Sequence, residues 1–123
     1  MEPTPQSRIL MLGNDPALAY LLGRYAHQSG YEITALPVVP LAADVCAQKP
    51  AAILFTSVES LEAGQLLIAG LANCEIPVLV CSSIADEAHA RELGADQCLV
   101  HPLTYDGFYG ALTATSMAGR NGR

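Results

Sequence analysis

Tryptophan is absent from this chain, and aromatic residues make up only 6% of it. That scarcity argues against an aromatic-rich all-β fold and favours small and branched aliphatics packed between layers. Basic residues are few as well: 6 Lys and Arg stand against 12 Asp and Glu, for a formal net charge of −6 and a pI near 4.8. They are scattered, at Arg8, Arg24, Lys49, Arg91, Arg120 and Arg123, whereas a nucleic-acid surface needs them clustered. Direct nucleic-acid binding is therefore not expected, and the acidic balance speaks mainly to solubility.

Other absences narrow the field further. No apolar run reaches membrane-spanning length, and no basic-then-apolar leader opens the chain, so neither a membrane nor export is expected and the chain reads as cytoplasmic. The cysteines at 46, 74, 81 and 98 form no Cys-x-x-Cys and have no His at ligand spacing. Neither zinc nor a disulfide is expected of them; they read as small buried hydrophobes in a reducing compartment. A Gly-rich phosphate loop, a nucleophile elbow, paired carboxylates and a His/Asp relay are all missing. The chain is thus not expected to be an enzyme or to hold a metal or cofactor.

What is present is an apolar chain of 123 residues, 51% hydrophobic and 15% charged, with mean hydropathy +0.30. This suits one domain with a sizeable core. Short apolar runs at 8–12, 31–36, 51–55, 76–81 and 97–100, each closed by turn residues, read as strands buried on both faces. Helical spacing follows each of them: from Pro16 to about Ser29, over 41–48, 59–71, 84–93 and 103–117. Asp15 is placed to cap the first helix, with Pro16 at its first position, where a missing N–H does no harm. The polar residues 1–7 read as a loose N-terminal arm, 8–117 as the domain, and 118–123 as a tail.

Five βα units in succession force parallel pairing through right-handed crossovers. The expectation is a flavodoxin-like three-layer α/β/α sandwich with strand order 2-1-3-4-5. In such folds the functional crevice lies beyond the carboxyl ends of the strands, which selects the loops 13–15, 37–40, 56–59, 82–84 and 101–103.

Three stretches carry a resemblance that covers about residues 8–117. They are Ile9-Leu-Met-Leu-Gly-Asn-Asp-Pro-Ala-Leu18, Ile76-Pro-Val-Leu-Val-Cys-Ser82 and Gly94-Ala-Asp-Gln-Cys-Leu-Val-His-Pro-Leu103. In this order they resemble the CheY-like receiver domain of two-component response regulators, the last stretch being the most specific. The resemblance implies an acidic Mg²⁺-binding pair after the first strand and an Asp phosphoacceptor after the third. It further implies a hydroxyl residue after the fourth strand, and a Lys after the fifth that binds phosphoryl oxygens. Position by position these become Gly13 with Asn14, Thr56, Ser82 and His101, and the switch aromatic of the fifth strand becomes Cys98. Of these, Ser82 alone keeps the expected chemistry. Mg²⁺ prefers carboxylate oxygens, and a Thr hydroxyl without a nearby base is a poor nucleophile. The chain thus reads as a pseudo-receiver. Asp15, one position late for the metal pair, reads as a cap; Ser82 reads as a cap ahead of a retained ligand contact; and His101 reads as a neutral filler. His27 and His89 read as solvated. The family also implies a cis peptide at Pro102.

The function expected is a phosphorylation-independent signalling module that binds a protein partner or an output domain. A homodimer through the fourth predicted helix, fifth strand and fifth predicted helix is one form of this. Leu103, Phe108, Tyr109 and Leu112 would serve as apolar anchors, with Arg91 among the rim charges. The alternative is a small-molecule or anion sensor using the emptied crevice, where helix N-termini would favour an anion.

Overall fold

Three of the apolar runs become strands buried along nearly their whole length: β1 (Arg8–Leu12), β3 (Ala52–Phe55) and β4 (Val78–Ser82). Parallel strands covered on both faces carry such continuous apolar sequences. With β2 (Glu32–Leu36) and β5 (Gln97–Val100) at the edges, they form one parallel sheet in the order β2-β1-β3-β4-β5. This is the flavodoxin-like order read from the βα alternation. The computed structural model describes residues 8–114; the expectations for 1–7 and 115–123 lie outside them.

Alternation along the strands divides the core into two halves. On one face, α1 (Pro16–Gln28) and α6 (Tyr105–Ala114) bring Leu18, Leu22, Ala26, Phe108, Ala111 and Leu112 against Ile9, Met11, Leu54 and Leu79. On the other face lie α2 (Ala42–Gln48), α3 (Val58–Ala63), α4 (Gln65–Gly70) and α5 (Glu87–Glu92). They set Val45, Leu61, Leu67 and Ala90 against Leu10, Leu12, Ile53, Phe55 and Val80. Each such side chain fully withdrawn from water is worth about 1.5–3 kcal/mol.

The single helix expected over 59–71 is broken into α3 and α4 at Gly64. A β-carbon there would come within 2.7 Å of Phe55 Cε2, so the chain approaches β3 more closely than any larger residue allows. The Gln65 side chain spans the break, donating to the carbonyls of Leu61 (3.0 Å) and Leu93 (2.9 Å). The helix expected over 84–93 begins instead as a 3-10 turn, Ile84–Asp86, before α5. Strand β4 starts at Val78, two residues later than expected, because Pro77 has no N–H for the ladder; its carbonyl accepts from Ile53 N at 2.9 Å.

Two expectations are overturned. Cys46, near the end of α2, and Cys74, in the turn after α4, are joined in a disulfide with a Cα–Cα distance of 5.8 Å. The 28-residue separation hides a proximity that arises only when α2 and α4 pack side by side. Cys81 and Cys98 are free, the first buried and the second half-buried. The other correction concerns the proposed anchors on the last helix. Phe108 and Leu112 are 2% and 4% exposed and lie on the stripe of α6 that faces the sheet, while half-buried Leu103 packs on the same core cluster. Tyr109, at 46% exposure, points outward.

Candidate functional site

The five residues at the carboxyl ends of the strands stand in very different surroundings. At the end of β1, Gly13 takes φ +125°, a conformation L side chains rarely adopt. Beside it, the Thr56 N–H donates to Leu12 O at 3.0 Å, which draws the end of β3 against the end of β1. Thr56 is buried, and its Oγ1 stands where a β-carbon on Gly13 would be; that carbon would also lie 3.0 Å from Thr56 Cβ. Gly13 and Thr56 are thus packed face to face. Asn14 is exposed.

Asp15 follows, and its Oδ1 accepts from Leu18 N at 3.1 Å with Pro16 in the first turn. This is the expected cap. Its charge also reaches the Cys81 thiol, whose pKa is pushed up to about 12, chiefly by burial and then by Asp15. At the end of β3, Ser57 caps α3 through a reciprocal pair with Ser60: Ser60 N donates to Ser57 Oγ (3.1 Å), and Ser57 N donates to Ser60 Oγ (3.2 Å).

Ser82 departs from its expected role. The cap after β4 is its neighbour Ser83, whose Oγ accepts from Asp86 N at 3.3 Å. Ser82 is 4% exposed, and its Oγ has no hydrogen-bond partner. Side chains alternate along a strand, so Ser82 shares the face of Val78 and Val80, toward α5. There it lies beside Cys98. Burial raises the Cys98 thiol above its ordinary value, and the Arg91 charge opposes that rise without cancelling it. The Cys98 Sγ points to Glu87 O at 3.9 Å. The Ser82 and Cys98 positions therefore meet each other and not Thr56, which faces the α1 side with Gly13. His101 is exposed; its backbone N–H donates to Ser82 O at 3.2 Å, and its peptide bond to Pro102 is cis.

These donors do not fit a magnesium ion. Position 13 offers no side chain, Asn14 offers a solvated amide, and the Thr56 hydroxyl is buried beside Gly13. Mg²⁺ demands near-octahedral oxygen ligation, usually anchored by carboxylates. Among the described residues, no three His, Cys, Asp or Glu side chains gather closely enough to hold a metal ion.

Two further groups have roles the sequence reading did not assign. Asp96, within the Gly-Ala-Asp stretch, accepts from Val78 N through Oδ2 (2.8 Å) and donates its own N–H to Val78 O (2.7 Å). It fastens the start of β4 to the start of β5. The preceding Gly94 turns at φ +110° under Ile68. His89, read as solvated, pairs across helices with Glu62 on α3 at 3.2 Å and lies 3.8 Å from Glu92. The Glu62 carboxylate raises its pKa above 6.5. Arg91, assigned to an interaction rim, donates to Asp96 O (2.9 Å) and pairs with Glu87 (3.3 Å). Its signal in sequence is the i,i+4 spacing to Glu87.

No protein-family profile and no curated protein sequence matches the chain; the likeness lies in the fold. It is similar to the receiver domain of a sensor histidine kinase from Pseudomonas aeruginosa, solved with magnesium coordinated in its active-site cleft. That match has TM-score 0.66 at 15% identity and covers 87% of this chain and 94% of that one. A response-regulator receiver domain from Bermanella marisrubri superposes with TM-score 0.68 at 19% identity, covering 90% and 98%. The signal receiver domain of a modulated diguanylate cyclase from Desulfovibrio desulfuricans gives TM-score 0.61 at 16% identity, covering 88% and 91%. The fold is that of receiver domains.

Proposed function

We propose that this receiver-fold domain is a pseudo-receiver: a cytoplasmic signalling module that acts through protein–protein interaction without being phosphorylated and without catalysing a reaction. The observation that supports this most is the packing of Thr56 on Gly13. Acyl-phosphate chemistry needs a carboxylate acceptor and a metal to neutralise charge on the transferring group, and that contact takes the place of both. With the chemistry gone, what the fold retains is surface. The similar structures include receiver domains of a sensor kinase and of a diguanylate cyclase, so receiver folds serve within larger signalling proteins, and an output domain or a separate protein is the partner expected here.

The face formed by α5, β5 and α6 remains the candidate surface. Its apolar content differs from the sequence expectation: of the four anchors, Tyr109 alone is open to solvent, at 46% exposure, its ring stacked on Tyr105. Incubation of the full chain with acetyl phosphate and Mg²⁺ tests the first half of the proposal. An unchanged intact mass is expected; a phosphoryl adduct removed by hydroxylamine, which cleaves acyl phosphates, overturns it. Light scattering at high micromolar concentration tests the homodimer form, and Tyr109→Ala would return any dimer to monomer.

A second reading, a small-molecule or anion sensor, is favoured by one observation, the buried and unpartnered Ser82 Oγ. Buried polar atoms are ordinarily satisfied. Thermal-shift measurements with phosphate and nucleotides separate the readings: a saturable shift abolished by Ser82→Ala supports the sensor, and no shift with any of them removes it.

A further inference from the structure

Of the four cysteines, two meet. Cys46 and Cys74 come from segments separated by 28 positions, and their Cα atoms lie 5.8 Å apart, within the range a disulfide spans without moving the backbone. Cys81 is shut into the core on the α1 side, and Cys98 lies against α5, so neither competes for the pairing. Both bridged residues are half-buried, which leaves them within reach of a small thiol or disulfide reagent.

The bridge joins a short, lightly anchored helix to the turn after another. Helix α2 has seven residues, about two turns, too few to persist without tertiary support. Its N-terminus at Leu41 has no side-chain cap, and Val45 is its one fully buried residue. Ala42 packs on Gly70 so closely that a β-carbon at 70 would overlap the Ala42 methyl, a fit that holds only while α2 and α4 stay in register. The chain turns through left-handed, non-glycine residues just past each cysteine, at Lys49 (φ 51°) and Glu75 (φ 56°), and each such turn is unfavourable on its own. Ahead of α2, the loop from β2 exposes Val38 (72%), Val39 (48%) and Leu41 (71%). If α2 lifts, Ala42 and Val45 join those residues in one enlarged apolar surface.

We propose that Cys46 and Cys74 form a reversible redox clasp on α2, closed by exchange with a low-molecular-weight disulfide and opened by thiols. In closing, one protein thiolate attacks the small disulfide, forming a mixed disulfide and expelling one thiolate. The second protein thiolate then attacks the protein sulfur of that mixed bond and expels the other. The two protein thiols give up two protons and two electrons, and the small disulfide becomes two thiols. Closed, the clasp fastens α2 to α4; open, it lets α2 detach locally while the sheet stays intact. The inference does not depend on the partner-binding reading above.

The test equilibrates the full chain in reduced or oxidised glutathione, traps thiols by alkylation, and maps them by peptide mass spectrometry beside amide hydrogen exchange. In oxidised glutathione, Cys46 and Cys74 should escape alkylation together while Cys81 and Cys98, once unfolded, are alkylated. In reduced glutathione, exchange over residues 42–48 should quicken by about tenfold or more, with β1 and β3 unchanged. A Cys46→Ser/Cys74→Ser variant should match the reduced protein in both buffers. Independent alkylation of the two cysteines in oxidised glutathione overturns the proposal, as does equal exchange over 42–48 in both states. Loss of protection across the whole sheet on reduction overturns it too, since the bridge would then be a general staple and not a clasp.

Discussion

Thr56 Oγ1 occupies the space that a side chain at Gly13 would need. The two residues are therefore coupled, and substitutions at 13 carry two separate penalties. Any L residue must adopt φ near +125°, at about 1–3 kcal/mol, and must displace a buried hydroxyl, at a further ~1–3 kcal/mol. Gly13→Ala is expected to lower the urea midpoint accordingly. In the Thr56→Ala background the second penalty should shrink, the β-carbon of residue 56 still standing 3.0 Å away, while the first remains, and a double-mutant cycle reads the difference. Additive losses would show that the two side-chain positions do not compete.

The same coupling bears on restoring the acceptor. Thr56→Asp alone supplies a carboxylate, but Gly13 and Asn14 still give a metal nothing comparable to ligate. Intact-mass measurement after acetyl phosphate and Mg²⁺ should show no acyl phosphate for this variant. Accumulation of a hydroxylamine-labile phosphoryl adduct would mean that the missing acceptor, and not the whole pocket, is what silences the site.

Asp96 gives a stability prediction away from the crevice. Its carboxylate serves Val78 N, the first donor of β4, in a residue that is 4% exposed. Asp96→Ala leaves that N–H without its partner at a cost of about 1–3 kcal/mol. Asp96→Asn retains an acceptor oxygen and should recover most of the loss. Equal losses in the two variants, measured by chemical denaturation, would point to something other than this hydrogen bond.

Much of this was legible in the chain itself, and the reason differs by feature. Strand order followed from the βα alternation, because buried parallel strands admit few topologies. Asp15-Pro16 announced its cap because capping is local, set by residues three apart. What escaped was set by packing across elements. Gly64 looks like a tolerable helix glycine until Phe55 is seen beneath it. Ser82 and Ser83 are indistinguishable in sequence, and only the strand's last register step decides which is buried and which caps. Phe108 and Leu112 satisfied both an anchor and a core reading, and the sheet-facing stripe of α6 settled it. The Cys46–Cys74 pairing has no local signature at all.

Cys81 should be chemically silent in the native protein. Its pKa is pushed from 9.0 up to about 12 by burial, with Asp15 adding to the effect, and the thiolate is the reactive form. A thiol reagent at mildly alkaline pH should label Cys81 only after denaturation. Because the folded value lies above the unfolded one, stability is unaffected below about 9 and is lost as pH rises from there toward 12. Cys81→Ala should remove that alkaline component of the pH–stability curve. Labelling of native Cys81 as fast as of a free peptide thiol would contradict its burial.

The His89–Glu62 pair ties α3 to α5 and should make their contact pH-sensitive. Glu62 accepts from the His89 ring and holds its pKa above 6.5. With the folded value above the unfolded one, protonated His89 favours the folded state fully below pH 6.5. That favour disappears as pH climbs through the raised value. Both side chains are about half exposed, at 50% and 52%, so solvent and salt weaken the effect. Titration of the His89 ring by NMR should give a midpoint above 6.5. Glu62→Gln should bring it down, leaving only the weaker pull of Glu92 at 3.8 Å, and added salt should move the wild-type value the same way. A His89 midpoint unaltered by Glu62→Gln would mean that the two helices do not meet through this pair in solution.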